Sequence, residues 1–142
     1  YKLKSVSFAS GTKSVATANA SGIVKFLKGG KVKLTVKMVY LKGTKTKTIK
    51  VVKQITVNQK ITSIALNKTI AGIKLKKTLK LTPKFYPASA TNKKVTWKSS
   101  NSKVATVSAA GVVKGKAKGT AVITCTAKDG SNVSAKCTVT VK

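Results

Sequence analysis

The chain has 142 residues, 42% of them apolar and 5% aromatic, enough for one ordinary domain or two small ones. Its formal charge is +29, because 30 basic residues, every one a lysine, stand against a single acid, Asp129, with no histidine. That inventory excludes paired-carboxylate catalysis, Ser-His-Asp or Cys-His nucleophiles, a calcium cage and the usual zinc sites. Lysine or thiol nucleophilic chemistry has no visible activating partner. The segment is expected to be no enzyme and to carry no cofactor and no metal.

In chain order, the opening "YKLKSVSF" alternates rather than forming the apolar block of a signal peptide. "KVKLTVKMVY" (Lys31–Tyr40) alternates Val32, Leu34, Val36 and Met38 with Lys31, Lys33, Thr35 and Lys37. "TAVITCTA" (Thr120–Ala127) alternates Ala121, Ile123 and Cys125 with Val122, Thr124 and Thr126, and "VSAKCTVTVK" places Val133, Ala135, Cys137, Val139 and Val141 on one face. Glycines punctuate these runs at Gly29-Gly30, Gly43, Gly111, Gly119 and Gly130. Period-two runs rich in valine and threonine, separated by turn residues, predict short strands of an all-β sandwich. No apolar run approaches the roughly 20 residues that span a bilayer.

The sequence also repeats. "VSFASGTKSVATANASGIVKF" (Val6–Phe26) matches "VTWKSSNSKVATVSAAGVVKG" (Val95–Gly115), with Phe8 opposite Trp97, Val15 opposite Val104 and Gly30 opposite Gly119. The spacing between copies shortens by the end, where Ile55 and Val57 meet Val139 and Val141, so the last hairpin of the first copy is the longer. Nothing before Tyr1 matches "ITSIALNKTIAGIKLKKTLKLTPKF". Residues 1–58 therefore read as the C-terminal part of a first domain, cut from a longer protein or completed by another segment. Residues 59–142 read as a complete second domain, and "VNQKI" (Val57–Ile61) as a short linker.

The second copy, "LTPKFYPASATNKKVTWKSSNSKVATVSAAGVVKGKAKGTAVITCTAKDGSNVSAKCTVTV" (Leu81–Val141), resembles the bacterial immunoglobulin-like domains of group 2. The first copy keeps the later half of that pattern. The resemblance implies two tandem immunoglobulin-like β-sandwich domains, the first lacking its N-terminal strands, on an extracellular or cell-surface bacterial protein. It further implies a non-catalytic spacer, adhesion or interaction module whose partners are other domains of the same longer protein. Two alternatives stay open: a cationic module binding anionic polysaccharide or cell-wall polymer, and an assembly subunit completed by strand donation.

Three residue sets are the candidates. Trp97 shares a strand face with Val95 and is replaced by Phe8 in the other copy, which favours core filling over an exposed ligand platform. Phe8, Val95, Val104, Ile123 and Val139 complete that expected core. Lysines alternate outward. Lys93, Lys94, Lys98, Lys114, Lys116 and Lys118 are those a polyanion would contact, whereas the lack of arginine speaks against specific nucleic-acid recognition. Cys125 and Cys137 flank "AKDGSN" on the last two strands and should lie near one another, so a cross-strand disulfide and two buried free thiols are both open. Asp129 reads as a turn residue.

Overall fold

The computed structural model describes all residues, Tyr1–Lys142, and contains strands and no helix. The chain divides into two compact units, Tyr1–Gln59 and Lys60–Lys142.

The first unit contains β1 (Lys2–Ser10), β2 (Ala16–Ala18), β3 (Val24–Phe26), β4 (Gly30–Lys42) and β5 (Lys45–Val57). β1, β4 and β5 form an antiparallel sheet in that spatial order, and β2 pairs with β3. The alternation of apolar and lysine residues sets the register. Val32, Leu34, Val36 and Met38 share one face with Ile55, Val51 and Ile49 of β5, while Lys31, Lys33 and Lys37 take the other. Only Val15, Ala16 and Val32 are buried here, with Val24, Leu34, Ile55 and Val57 packed partly against them.

The second unit contains β6 (Ser63–Leu66), β7 (Ile70–Ile73), β8 (Thr78–Lys80), β9 (Pro83–Tyr86), β10 (Val95–Ser99), β11 (Ala105–Val107), β12 (Val112–Gly115), β13 (Gly119–Ala127) and β14 (Ser134–Val141). One sheet runs β10-β13-β14-β7, with β7 parallel to β14 and the other pairs antiparallel. A second sheet runs β11-β12-β8, and β6 pairs with β9. Both larger sheets contribute to one core: Ile123, Cys137, Val139 and Val141 from the first meet Ala105 and Val113 from the second, closed by Ile73 and Leu81. A smaller cluster, Ile61, Ala90 and Ala127 with Ile64, Phe85 and Val133, fills the other end. This is a two-layer sandwich in which each fully buried aliphatic side chain contributes roughly 1.5–3 kcal/mol.

The two units repeat one another in detail. Phe8 opposes Val36 as Trp97 opposes Cys125, and Gly30 opposes Val57 as Gly119 opposes Val141. Ser10 Oγ donates to Ala16 O at 2.5 Å, as Ser99 Oγ does to Ala105 O at 2.7 Å. The Leu27 amide donates to Val15 O as the Lys116 amide does to Val104 O, both at 2.8 Å. In each unit a positive-φ glycine lies beneath the aromatic ring. A Cβ at Gly22 (φ +80°) would come within 2.9 Å of Phe8, and one at Gly111 (φ +78°) within 2.8 Å of Trp97. No side chain other than glycine meets both demands without strain.

Candidate functional site

Chemistry-bearing side chains are sparse and dispersed. No group of three or more His, Cys, Asp or Glu residues comes together in a way that would hold a metal ion. Every lysine is exposed, no polar or charged residue is buried, and the buried core is wholly hydrophobic. No helix is long and apolar enough to cross a membrane.

Trp97 is half-buried and packs against the larger core cluster of the second unit, whose centre is Ile123 and Val139 at 0% exposure. Val95 and Val104 are half-buried, and Phe8 is half-buried in the first unit. The Trp97 ring covers Gly111, and the Leu81 amide donates to Gly111 O at 2.9 Å, so the aromatic sits where the end of β8 meets the start of β12. That geometry gives the ring a packing task.

The six candidate polyanion lysines do not form one patch. Lys98 projects from the outer face of β10, opposite Thr124 of β13, whereas Lys114 projects from β12 in the other sheet. Lys116 and Lys118 follow in the connection to β13, and Lys93 and Lys94 precede β10. Lys98 instead shares an open hollow with Ser100, Thr124 and Lys136, a residue outside the sequence-selected set.

The two cysteines lie on neighbouring strands, β13 and β14. In the register found, Cys125 opposes Ala135 and Cys137 opposes Ile123. The two residues are therefore diagonal rather than directly opposed on the core face, and both thiols are free and buried. Burial pushes the Cys125 thiol up to about 11 and raises Cys137 as well, with Lys68 pulling the latter partly back. Such thiols are held protonated and unreactive.

Asp129 does more than turn the chain. Its Oδ2 accepts the Ile61 amide at 2.5 Å, and its Oδ1 accepts the Ser131 amide at 3.0 Å and the Ser131 hydroxyl. Lys60 Nζ donates to Gly130 O at 3.3 Å beside it. The only side-chain carboxylate thus fastens the first residues of the second unit to the β13–β14 turn. The Ile61 amide, then the Ser131 hydroxyl, holds its pKa below the usual 3.8. A partner 68 residues away left no local trace in the sequence; the only available signal was that the chain keeps one acid, at this turn.

With this frame in place, comparison with known proteins is decisive about family. The family model described as bacterial Ig-like domain (group 2) matches residues 52–139. The chain belongs to that family. This Ig-like chain is also 63% identical over 43 residues to a kappa-carrageenase of Pseudoalteromonas carrageenovora, covering 30% of this chain and 11% of that protein. It is 38% identical over 80 residues to an uncharacterized protein of Clostridium acetobutylicum, covering 56% of this chain and 8% of that one. It therefore spans about a tenth of the curated relatives it matches. Among solved structures, the S-layer protein rSbsC superposes with a TM-score of 0.52 at 25% identity, covering 98% of this chain and 20% of that one. The cadherin domains 1–4 of protocadherin gamma B7 give 0.52 at 12% identity, covering 99% and 41%, a likeness of fold alone.

Proposed function

We propose that this Ig-like chain is a non-catalytic spacer and interaction module of a larger extracellular or cell-surface bacterial protein. In this reading residues 1–58 are the later part of one Ig-like domain and residues 59–142 a complete second one. The observation that carries it is the duplicated frame of registers, hydroxyl bonds and glycine-under-aromatic contacts, built around cores that hold no polar group. Repetition of a scaffold without repetition of any reactive residue suits mechanical spacing, because each copy contributes length and stiffness and none contributes chemistry. The small shares of the relatives that it covers fit a module carried beside other regions.

A second reading, a cationic module for anionic polysaccharide, draws on the exposure of all 30 lysines with one carboxylate among them. Salt separates the two. For a spacer, retention of the whole chain on sulfated or carboxylated polysaccharide is unsaturable and vanishes by about 0.15 M salt. Saturable binding with micromolar or tighter affinity at that ionic strength contradicts the spacer reading and establishes the binding module.

A further inference from the structure

The outer face of β10, β13 and β14 carries a place where basic side chains converge. Lys98 of β10 pairs with Thr124 of β13, and Thr124 pairs with Lys136 of β14, so the two lysines flank one threonine in a row across the sheet. Two strand spacings separate the backbones of Lys98 and Lys136 by about 10 Å, a gap that two flexible lysine stems close on one anion. Ser100 stands beside the row. Its amide donates to Val122 O at 2.9 Å and its Oγ accepts the Val122 amide at 2.8 Å, which fixes the hydroxyl and leaves its proton for a ligand. Lys98, Ser100, Val122, Thr124 and Lys136 line one open hollow of about 420 Å³. No acidic side chain answers this charge, because Asp129 is engaged by Ile61 and Ser131.

The strand frame does not require these groups. The same row in the first unit is Ala9, Thr35 and Val52, and the position of Ser100 is held by Gly11, whose amide donates to Lys33 O at 2.9 Å. The threonine is common to both units. Two lysines and a serine hydroxyl surround it in one, whereas alanine, valine and glycine serve the same frame in the other.

We propose that Lys98, Lys136, Thr124 and Ser100 form a binding site for a sulfate or phosphate monoester carried on a sugar. Two ammonium groups and two hydroxyls supply donors for all the terminal oxygens of such an ester, which has one more than a phosphodiester or a carboxylate. Around the anion, the Thr126 and Thr138 hydroxyls and the half-buried Val122 share this face, and they suit the hydroxyls and the C–H surface of a sugar ring. No aromatic residue lies on this face of the three strands to stack a nucleic-acid base. The inference deepens the polysaccharide reading and rests on it for the polymer that carries the ester. A single site of millimolar affinity is compatible with the spacer role as well.

The test is an NMR titration of the isotope-labelled whole chain at a constant ionic strength of about 0.15 M. Glucose 6-sulfate and glucose 6-phosphate should each saturate with a Kd of about 1–10 mM. They should move the amides of Lys98, Ser100, Thr124 and Lys136 while those of Ala9, Thr35 and Val52 stay in place. Glucuronate and inorganic sulfate should bind at least about threefold more weakly, and glucose should not bind. Lys98→Ala and Lys136→Val install the residues of the first unit and should each weaken binding about fivefold or more, whereas Lys114→Ala, on the other sheet, should leave it unchanged. Equal losses in all three variants, or matching shifts in the first unit, overturn the site in favour of diffuse charge. Inorganic sulfate binding as tightly as the sugar esters, or a short oligothymidylate binding more tightly, overturns the sugar ester as ligand. Saturable retention on sulfated polysaccharide without shifts at these amides overturns the site alone; the shifts without that retention overturn the polysaccharide reading alone.

Discussion

The two units share a register and a hydrogen-bond frame, yet they bury the same positions to different depths. Ile123, Cys125, Val139 and Val141 are essentially inaccessible, whereas their counterparts Leu34, Val36, Ile55 and Val57 are only partly buried. Both sets alternate correctly with polar residues, so the difference lies in what covers them. The segment from Ile61 to Ala90 adds β7 to one sheet, β8 to the other and a β6–β9 layer over the remaining end. Alternation makes a strand two-faced; a second layer makes one of those faces a core.

Paired substitutions turn that comparison into free energies. The largest contrast is expected between Ile123→Ala and Leu34→Ala. The first empties a fully enclosed site and should cost about 4 kcal/mol, the second about 1 kcal/mol because the side chain keeps solvent contact. Urea unfolding followed by Trp97 fluorescence for the second unit, and by amide signals for the first, measures both. Equal costs would mean that the first unit is as well covered as the second.

Next come the two glycines. Gly111→Ala forces a methyl to within 2.7 Å of Leu81 O, a backbone atom that cannot withdraw, and to within 2.8 Å of Trp97. We expect a loss of about 3 kcal/mol. Gly22→Ala has a similar positive φ but meets only the far end of the Phe8 side chain, which lines an open hollow, so about 1 kcal/mol is expected. Comparable losses at both would show that the Phe8 ring is as fixed as Trp97.

The smallest effect concerns acid. Asp129 has a folded pKa below its usual 3.8, so its stabilisation is complete above that unfolded value and is lost as pH falls through the lower folded one. The second unit should thus weaken in urea as pH drops below about 4, and Asp129→Asn should flatten that profile. Residues 1–59 contain no Asp, Glu or His, so no side chain there titrates in this range. Acid sensitivity of the second unit that survives Asp129→Asn would remove the clamp from the account.

Much of this was legible in the residues. The alternation in Lys31–Tyr40 and Thr120–Ala127 dictates strands with one apolar face, and the change in repeat spacing reappears in the register, where β4 and β5 each run 13 residues against 9 and 8 for β13 and β14. Three features were not legible, because each depends on partners distant in sequence or on one turn's backbone. The parallel addition of Ile70–Ile73 to β14 joins segments about half the chain apart. The Asp129 clamp reaches back to Ile61. The diagonal placement of Cys125 and Cys137 goes with a turn in which Gly130 and Asn132 both adopt positive φ, and the residue spacing alone does not give that offset.

Native-state amide exchange of the whole chain reads out the difference between a frame covered in the second unit and partly exposed in the first. The amides of Ile123, Cys125 and Val139 should exchange at least about a hundredfold more slowly than those of their counterparts Leu34, Val36 and Ile55. Matched protection of the two sets would contradict that difference.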